Sequence, residues 1–65
     1  MYVVQEFLVN EEISYINETY FHDMTSGLRF RNFINKYDKL INAKLMMIEF
    51  DKEGKIQLEE ILLKE

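Results

Sequence analysis

The chain has 65 residues, 48% of them hydrophobic, and a formal charge of -4 from 12 acidic and 8 basic side chains. Five Phe and four Tyr make it too apolar for intrinsic disorder. At this length folding buries only about 60% of the unfolded surface, and with no cysteine and a single histidine, His22, neither a disulfide nor a four-ligand zinc site can supplement the core.

One domain over residues 1–65 is therefore expected, with a second chain as the supplement that disulfides or metal cannot provide. Residues 1–10 have no basic stretch and no long apolar run, so neither a secretory signal nor a membrane span is expected. The missing cysteines fit a reducing cytoplasm. Without an export signal, the glycosylation sequon Asn17-Glu18-Thr19 has no chemical consequence. Proline is absent, and Gly27 and Gly54 are the only strong breakers, dividing the chain into three blocks.

The first block, Tyr2 to Met24, reads as two strands. Val3, Phe7 and Val9 occupy one face of the first, while Tyr2, Val4 and Leu8 occupy the other, so both faces of that strand should be covered. Asn10-Glu11-Glu12 is the expected turn. The segment Ile13 to His22 alternates loosely as the second strand, with Ile13, Tyr15, Thr19 and Phe21 on one side. In the second block, Thr25 or Ser26 offers an N-cap, and Phe30, Phe33, Ile34, Tyr37, Leu40 and Ile41 recur at helical spacing. The pattern predicts an amphipathic helix over residues 27–42, with Arg29, Arg31, Lys36 and Lys39 off the apolar stripe.

The third block has a dense apolar run from Leu45 to Ile48, then Phe50, the polar turn Asp51-Lys52-Glu53-Gly54, and Ile56 with Leu58. Gly54 suits the left-handed position of a hairpin turn. Glu59 to Glu65 can continue as strand or form a short helix. The expected architecture is α+β, a single amphipathic helix packed on a small antiparallel sheet, in the order β-β-α-β(-β). A degenerate EF-hand competes for the turn, because Leu45 to Phe50 could equally be helical. Gly54 stands fourth from Asp51, however, whereas a calcium loop needs about six residues to its glycine.

Enzyme chemistry is not expected. His22 lies near Asp23 and Glu18, and Ser14, Thr19, Thr25 and Ser26 supply hydroxyls, but no nucleophile elbow, metal-ligand pair or phosphate loop accompanies them. No metal or other cofactor is expected, and His22 reads as a partly exposed residue at a strand end. Charge is segregated: residues 26–47 sum to +4, while residues 1–25 sum to -5 with no base and residues 48–65 to -3. With a pI near 4.9, direct nucleic-acid binding is disfavoured. Helix cations can pair with strand acids in solvent at little energetic consequence. Alternatively, Glu6, Glu11, Glu12, Glu18 and Asp23 form a carboxylate row that fits a cationic groove built for DNA phosphates.

Three groups of residues carry a resemblance: Tyr20-Phe21-His22 at the end of the second strand, Phe33 with Tyr37 one helical turn on, and Leu45-Met46-Met47-Ile48-Glu49-Phe50-Asp51-Lys52. Over residues 13–52 the chain resembles the small dimeric uracil-DNA glycosylase inhibitors of Bacillus podophages. The resemblance implies a cytoplasmic homodimer in the host cell that occupies the DNA-binding groove of the host glycosylase by DNA mimicry. It also implies a hydrophobic pocket across the dimer, which captures an apolar side chain of the enzyme's intercalating loop. Carried over, the pocket role falls on Phe33 and Tyr37, with Phe30 and Tyr20 as neighbouring aromatics. Ile34 stands where the family pattern has an acid, and the helix surface is basic, so the phosphate-mimicking role shifts to Glu18 and Glu11. The other function class is an accessory protein that sequesters a different host protein through the same apolar surface, and a purely structural subunit of a larger assembly is a third.

Overall fold

Two β-rich segments, a helix and a hairpin give the chain order β1 (Tyr2–Leu8), β2 (Asn17–Phe21), α1 (Met24–Tyr37), β3 (Ile41–Phe50) and β4 (Ile56–Glu60). The computed structural model describes residues 1–64. All pairings are antiparallel, and the strands lie in the order β2-β1-β3-β4 with the helix across one face. The architecture is the expected α+β one, with the hairpin's second strand present.

The register assigns every strand residue to a face, because directly paired residues share a side. Tyr2, Val4, Thr19, Phe21, Ala43 and Leu45 fall on the helix side. There Val4, Ala43 and Leu45 form the buried centre, lined by Met24, Leu28, Phe30 and Ile34 of α1. Gly27 allows this close approach. A Cβ on it would stand 2.7 Å from a Leu45 methyl group.

On the far side, Val3 is buried between Tyr20 and Met46 of the neighbouring strands. Phe7 is buried beneath Lys44, whose ammonium lies 5.3 Å from the ring centre and is held by Glu12 at 2.8 Å. The second apolar face of β1 is thus covered at this end from within the chain, by Lys44 together with its ion-pair partner from the loop after β1.

Several expectations are corrected in detail. The helix begins at Met24 and ends at Tyr37, instead of spanning residues 27–42, and its N-cap is Asp23, whose carboxylate accepts from the Ser26 amide. Thr25 and Ser26 lie inside the first turn. Leu40 and Ile41 leave the helix because Asp38 ends it: its carboxylate accepts from the Leu40 amide, its carbonyl accepts from Ile41, and Ile41 opens β3.

The buried stripe is also rotated from the expected one. Gly27 and Arg31 are buried, whereas Phe33 and Tyr37 are not. Arg31 sits inside because its guanidinium donates to the carbonyls of Ile61 and Leu63 and to Asn32 Oδ1, tying the segment after β4 to the helix with neutral acceptors.

The second strand starts at Asn17, not Ile13. The chain turns at Asn10, which has φ of 74°, and residues 13–16 remain loop, with Ile13 almost fully exposed. The EF-hand reading fails because Leu45–Phe50 is strand, with its backbone groups committed to β1 and β4. Gly54 has the expected left-handed φ, 80°. Residues after Glu60 form neither strand nor helix through Lys64, and Glu65 lies outside the described residues.

Two aspartates, the N-cap of the helix and the first residue of the β3–β4 turn, carry a testable pH dependence. Asp23 is held below the usual carboxylate range chiefly by the Ser26 amide, and Asp51 by the Lys55 amide followed by that of Glu53. Each contributes stability that is full above the ordinary value of 3.8 and lost as pH falls through the lower folded value. Asp51→Ala is expected to lower the melting temperature near neutral pH and to flatten its decline between about pH 5 and pH 3, as read by circular dichroism.

Candidate protein-binding surfaces

The helix presents an aromatic pair to solvent. Phe33 and Tyr37 are one turn apart, with ring centroids 4.8 Å apart and tilted by 48°, and they remain 59% and 64% exposed. Lys36 lies 5.4 Å from the Tyr37 ring centre. Phe30 shares this flank of the helix but turns inward, its ring centroid 5.4 Å from that of Phe21 on β2. Phe30 is therefore a packing residue, and the flank carrying the exposed pair faces the β2 side of the sheet.

Glu18 and Tyr20 occupy the opposite side of the sheet, since Glu18 pairs with Gln5 and Tyr20 with Val3. The Tyr20 hydroxyl donates to Glu18 at 3.1 Å, and Gln5 donates to the other carboxylate oxygen at 3.0 Å. The Glu18 carboxylate raises the Tyr20 pKa, first by accepting that hydrogen bond and then by its charge. Glu11 lies in the loop after β1, where it borders a small depression with Leu8, Ile13, Ser14 and Ile16.

The six expected site residues thus divide: Phe33 and Tyr37 on the helix flank, Phe30 in the core, Glu18 and Tyr20 together across the sheet, and Glu11 on a loop. A single protomer does not gather them into one site.

The charges of the helix and of the first two strands stay separate in the fold. Among the described residues the ion pairs are Lys44–Glu12 and Lys55–Glu53, so the helix cations do not neutralise the acids of β1 and β2. Glu6 and Glu18 instead accept from the side-chain amides of Asn17 and Gln5, neutral donors that bring no compensating cation.

A second exposed apolar group was not singled out by the sequence. Phe50, Ile56 and Leu58 lie on the helix-free side, 68%, 63% and 45% exposed. Their signal was the alternation Ile56-Gln57-Leu58 beside an isolated Phe50, which reads equally as an ordinary buried hairpin.

Among the described residues no helix is long and apolar enough to cross a membrane, and no three His, Cys, Asp or Glu side chains converge as metal ligands. No protein-family model matches the chain, and neither a curated protein nor a solved structure does.

Proposed function

We propose that this chain is a protein inhibitor that binds a DNA-handling enzyme through the exposed aromatic pair Phe33–Tyr37, and that the target is a host uracil-DNA glycosylase whose DNA groove it occupies by mimicry. One observation carries the reading: two adjacent aromatic rings stand 59% and 64% exposed on a helix flank where the fold has no use for them. Rigid aromatic rings of this kind are the usual anchors of a protein interface.

The choice of target comes from the resemblance over residues 13–52, in which the matching phenylalanine takes up an apolar side chain of the enzyme's intercalating loop. The base-free first 25 residues support the mimicry, with Glu18 and Glu11 standing in for phosphates. On this reading the chain acts in the host cytoplasm as a homodimer, performs no catalysis and binds no nucleic acid directly.

A second reading is favoured by the separation of Glu18 and Tyr20 from the aromatic pair. A target that takes only the apolar pair needs no flanking carboxylates, and the chain would then sequester a different host protein. Uracil excision from an oligonucleotide separates the two. Inhibition at near-stoichiometric protein is expected, whereas undiminished excision at micromolar excess would sink the glycosylase as target. Pull-down from a bacterial lysate, expected to give one dominant repair-enzyme band, would then yield another protein.

A further inference from the structure

The last strand is an unprotected sheet edge, and its sequence is complementary to itself. Hydrogen bonds from Asp51 to the Lys55 carbonyl and from Ile61 to the Leu45 carbonyl fix the alternation along β4. Lys55, Gln57, Glu59 and Ile61 turn their backbone groups toward β3. Ile56, Leu58 and Glu60 turn theirs outward, where β4 has no neighbouring strand among the described residues. All five residues of β4 are exposed, and the edge has no proline and no bulge.

The contrast with the adjoining edge is informative. Beyond the end of β4, the corresponding edge of β3 at Ala43 is closed by Asn35, whose amide donates to the Ala43 carbonyl at 3.0 Å and whose oxygen accepts from the Ala43 amide at 2.7 Å. One stretch of edge is capped by a side chain, while the next is left open.

We propose that β4 pairs antiparallel with β4 of a second copy, about a twofold axis passing between the two Gln57 residues, to give a continuous eight-stranded sheet. In this register Ile56 faces Leu58 of the second copy, and the outward backbone groups of both residues bond across the axis. Lys55 faces Glu59 of the second copy, and the symmetry makes both contacts twice. Shifting the axis to Leu58 would place Gln57 opposite Glu59 and Lys55 opposite Ile61, which loses both ion pairs, so charge selects the Gln57 register. The side chains of Ile56 and Leu58 from both copies then meet on the helix-free side, continuous with Phe50 and Ile48 of each.

This dimer rests on the β4 edge, outside residues 13–52, and on nothing assumed about the target. It also differs from the arrangement that the resemblance implies. Arg31 and Asn32 hold the segment after β4 on one flank of the helix, while Phe30 packs toward β2 on the other. The Phe33–Tyr37 pairs therefore stay outside the interface, one complete pair on each copy.

The test is the solution mass of the full chain, by sedimentation equilibrium from high to low micromolar concentration. A dimer is expected for the native sequence. Lys55→Glu and Glu59→Lys should each weaken it about tenfold or more, and the two together should restore it, because the exchanged charges face each other again. Leu58→Pro removes no hydrogen bond within the chain, since the Leu58 amide points outward, and should give a folded monomer by circular dichroism.

A native chain that stays monomeric at high micromolar concentration overturns the proposal and leaves the edge to an extended peptide. A dimer whose mass ignores both single charge reversals overturns it too. A monomer would also remove the homodimer from the inhibitor reading, whereas a dimer insensitive to the charge reversals would leave that reading untouched; inhibition itself is read by uracil excision and not by mass.

Discussion

Leu45→Ala is expected to remove a large part of the folding stability, the largest loss among the substitutions considered for this chain. Leu45 is fully buried at the centre of β3, between Val4 on β1 and the helix turn at Gly27. Removing a buried leucine side chain in this way costs about 2–5 kcal/mol, depending on how far the site collapses. A domain of 65 residues has a total stability of about 3–10 kcal/mol at the usual ~0.05–0.15 kcal/mol per residue.

The converse change identifies the contact. Gly27→Ala should gain about 1 kcal/mol of helix propensity. It forces a methyl group to 2.7 Å from Leu45 in a core with little room to give, and overpacking of that kind costs about 1–3 kcal/mol. A net loss is expected from urea unfolding followed by circular dichroism. Gly27→Ala placed in the Leu45→Ala background should recover part of the lost stability, since the new methyl enters the vacated space. Equal and additive losses would mean that the helix does not rest on Leu45.

Phe33→Ala should have the opposite profile, leaving the fold intact and removing function. A substitution at an exposed helix position away from caps and core typically changes stability by no more than about 0.5 kcal/mol. An aromatic anchor at the centre of an interface contributes about 2 kcal/mol or more to binding, a loss of roughly 30-fold. The expected result is a nearly unchanged urea midpoint together with inhibition of uracil excision at least an order of magnitude weaker.

Phe30→Ala is the matched control. Phe30 packs on Phe21 against the core, so its truncation should lower the urea midpoint clearly. If Phe33→Ala unfolds the chain, the pair is structural. If stability and inhibition are both unchanged, the target is held elsewhere, and the side of the sheet that carries Glu18 and Tyr20 becomes the surface to test.

Local chemistry made most of the fold legible. β-branched and aromatic residues at Val3, Val4 and Phe7, helical spacing after residue 25, and Gly54 closing a polar turn are properties of short segments, and the structure contains a strand, a helix and a hairpin at those places. The boundaries were less legible because they depend on single hydrogen bonds. Asp23 captures the Ser26 amide and starts the helix early, and Asp38 ends it before Leu40 although the apolar spacing continues. Which residues face inward was the largest departure. Spacing alone counts Phe33 and Tyr37 as core and gives no weight to Gly27 or Arg31. The structure reverses both, because close approach to Leu45 requires a residue without a side chain, and the carbonyls of Ile61 and Leu63 satisfy a buried guanidinium.

The same limit applies to the candidate site. The sequence by itself determined the residue types and their signs of charge: an aromatic pair one turn apart, acids without bases over the first 25 residues, and a core too small to be comfortable alone. Only the tertiary structure decided that the pair stands in solvent, that Glu18 and Tyr20 lie on the other side of the sheet, and that β4 presents an open edge. Exposure is set by what the rest of the chain packs against a residue. Strand order, register and the seat of the helix on Leu45 fix that packing through contacts between residues far apart in sequence, and no local pattern records them.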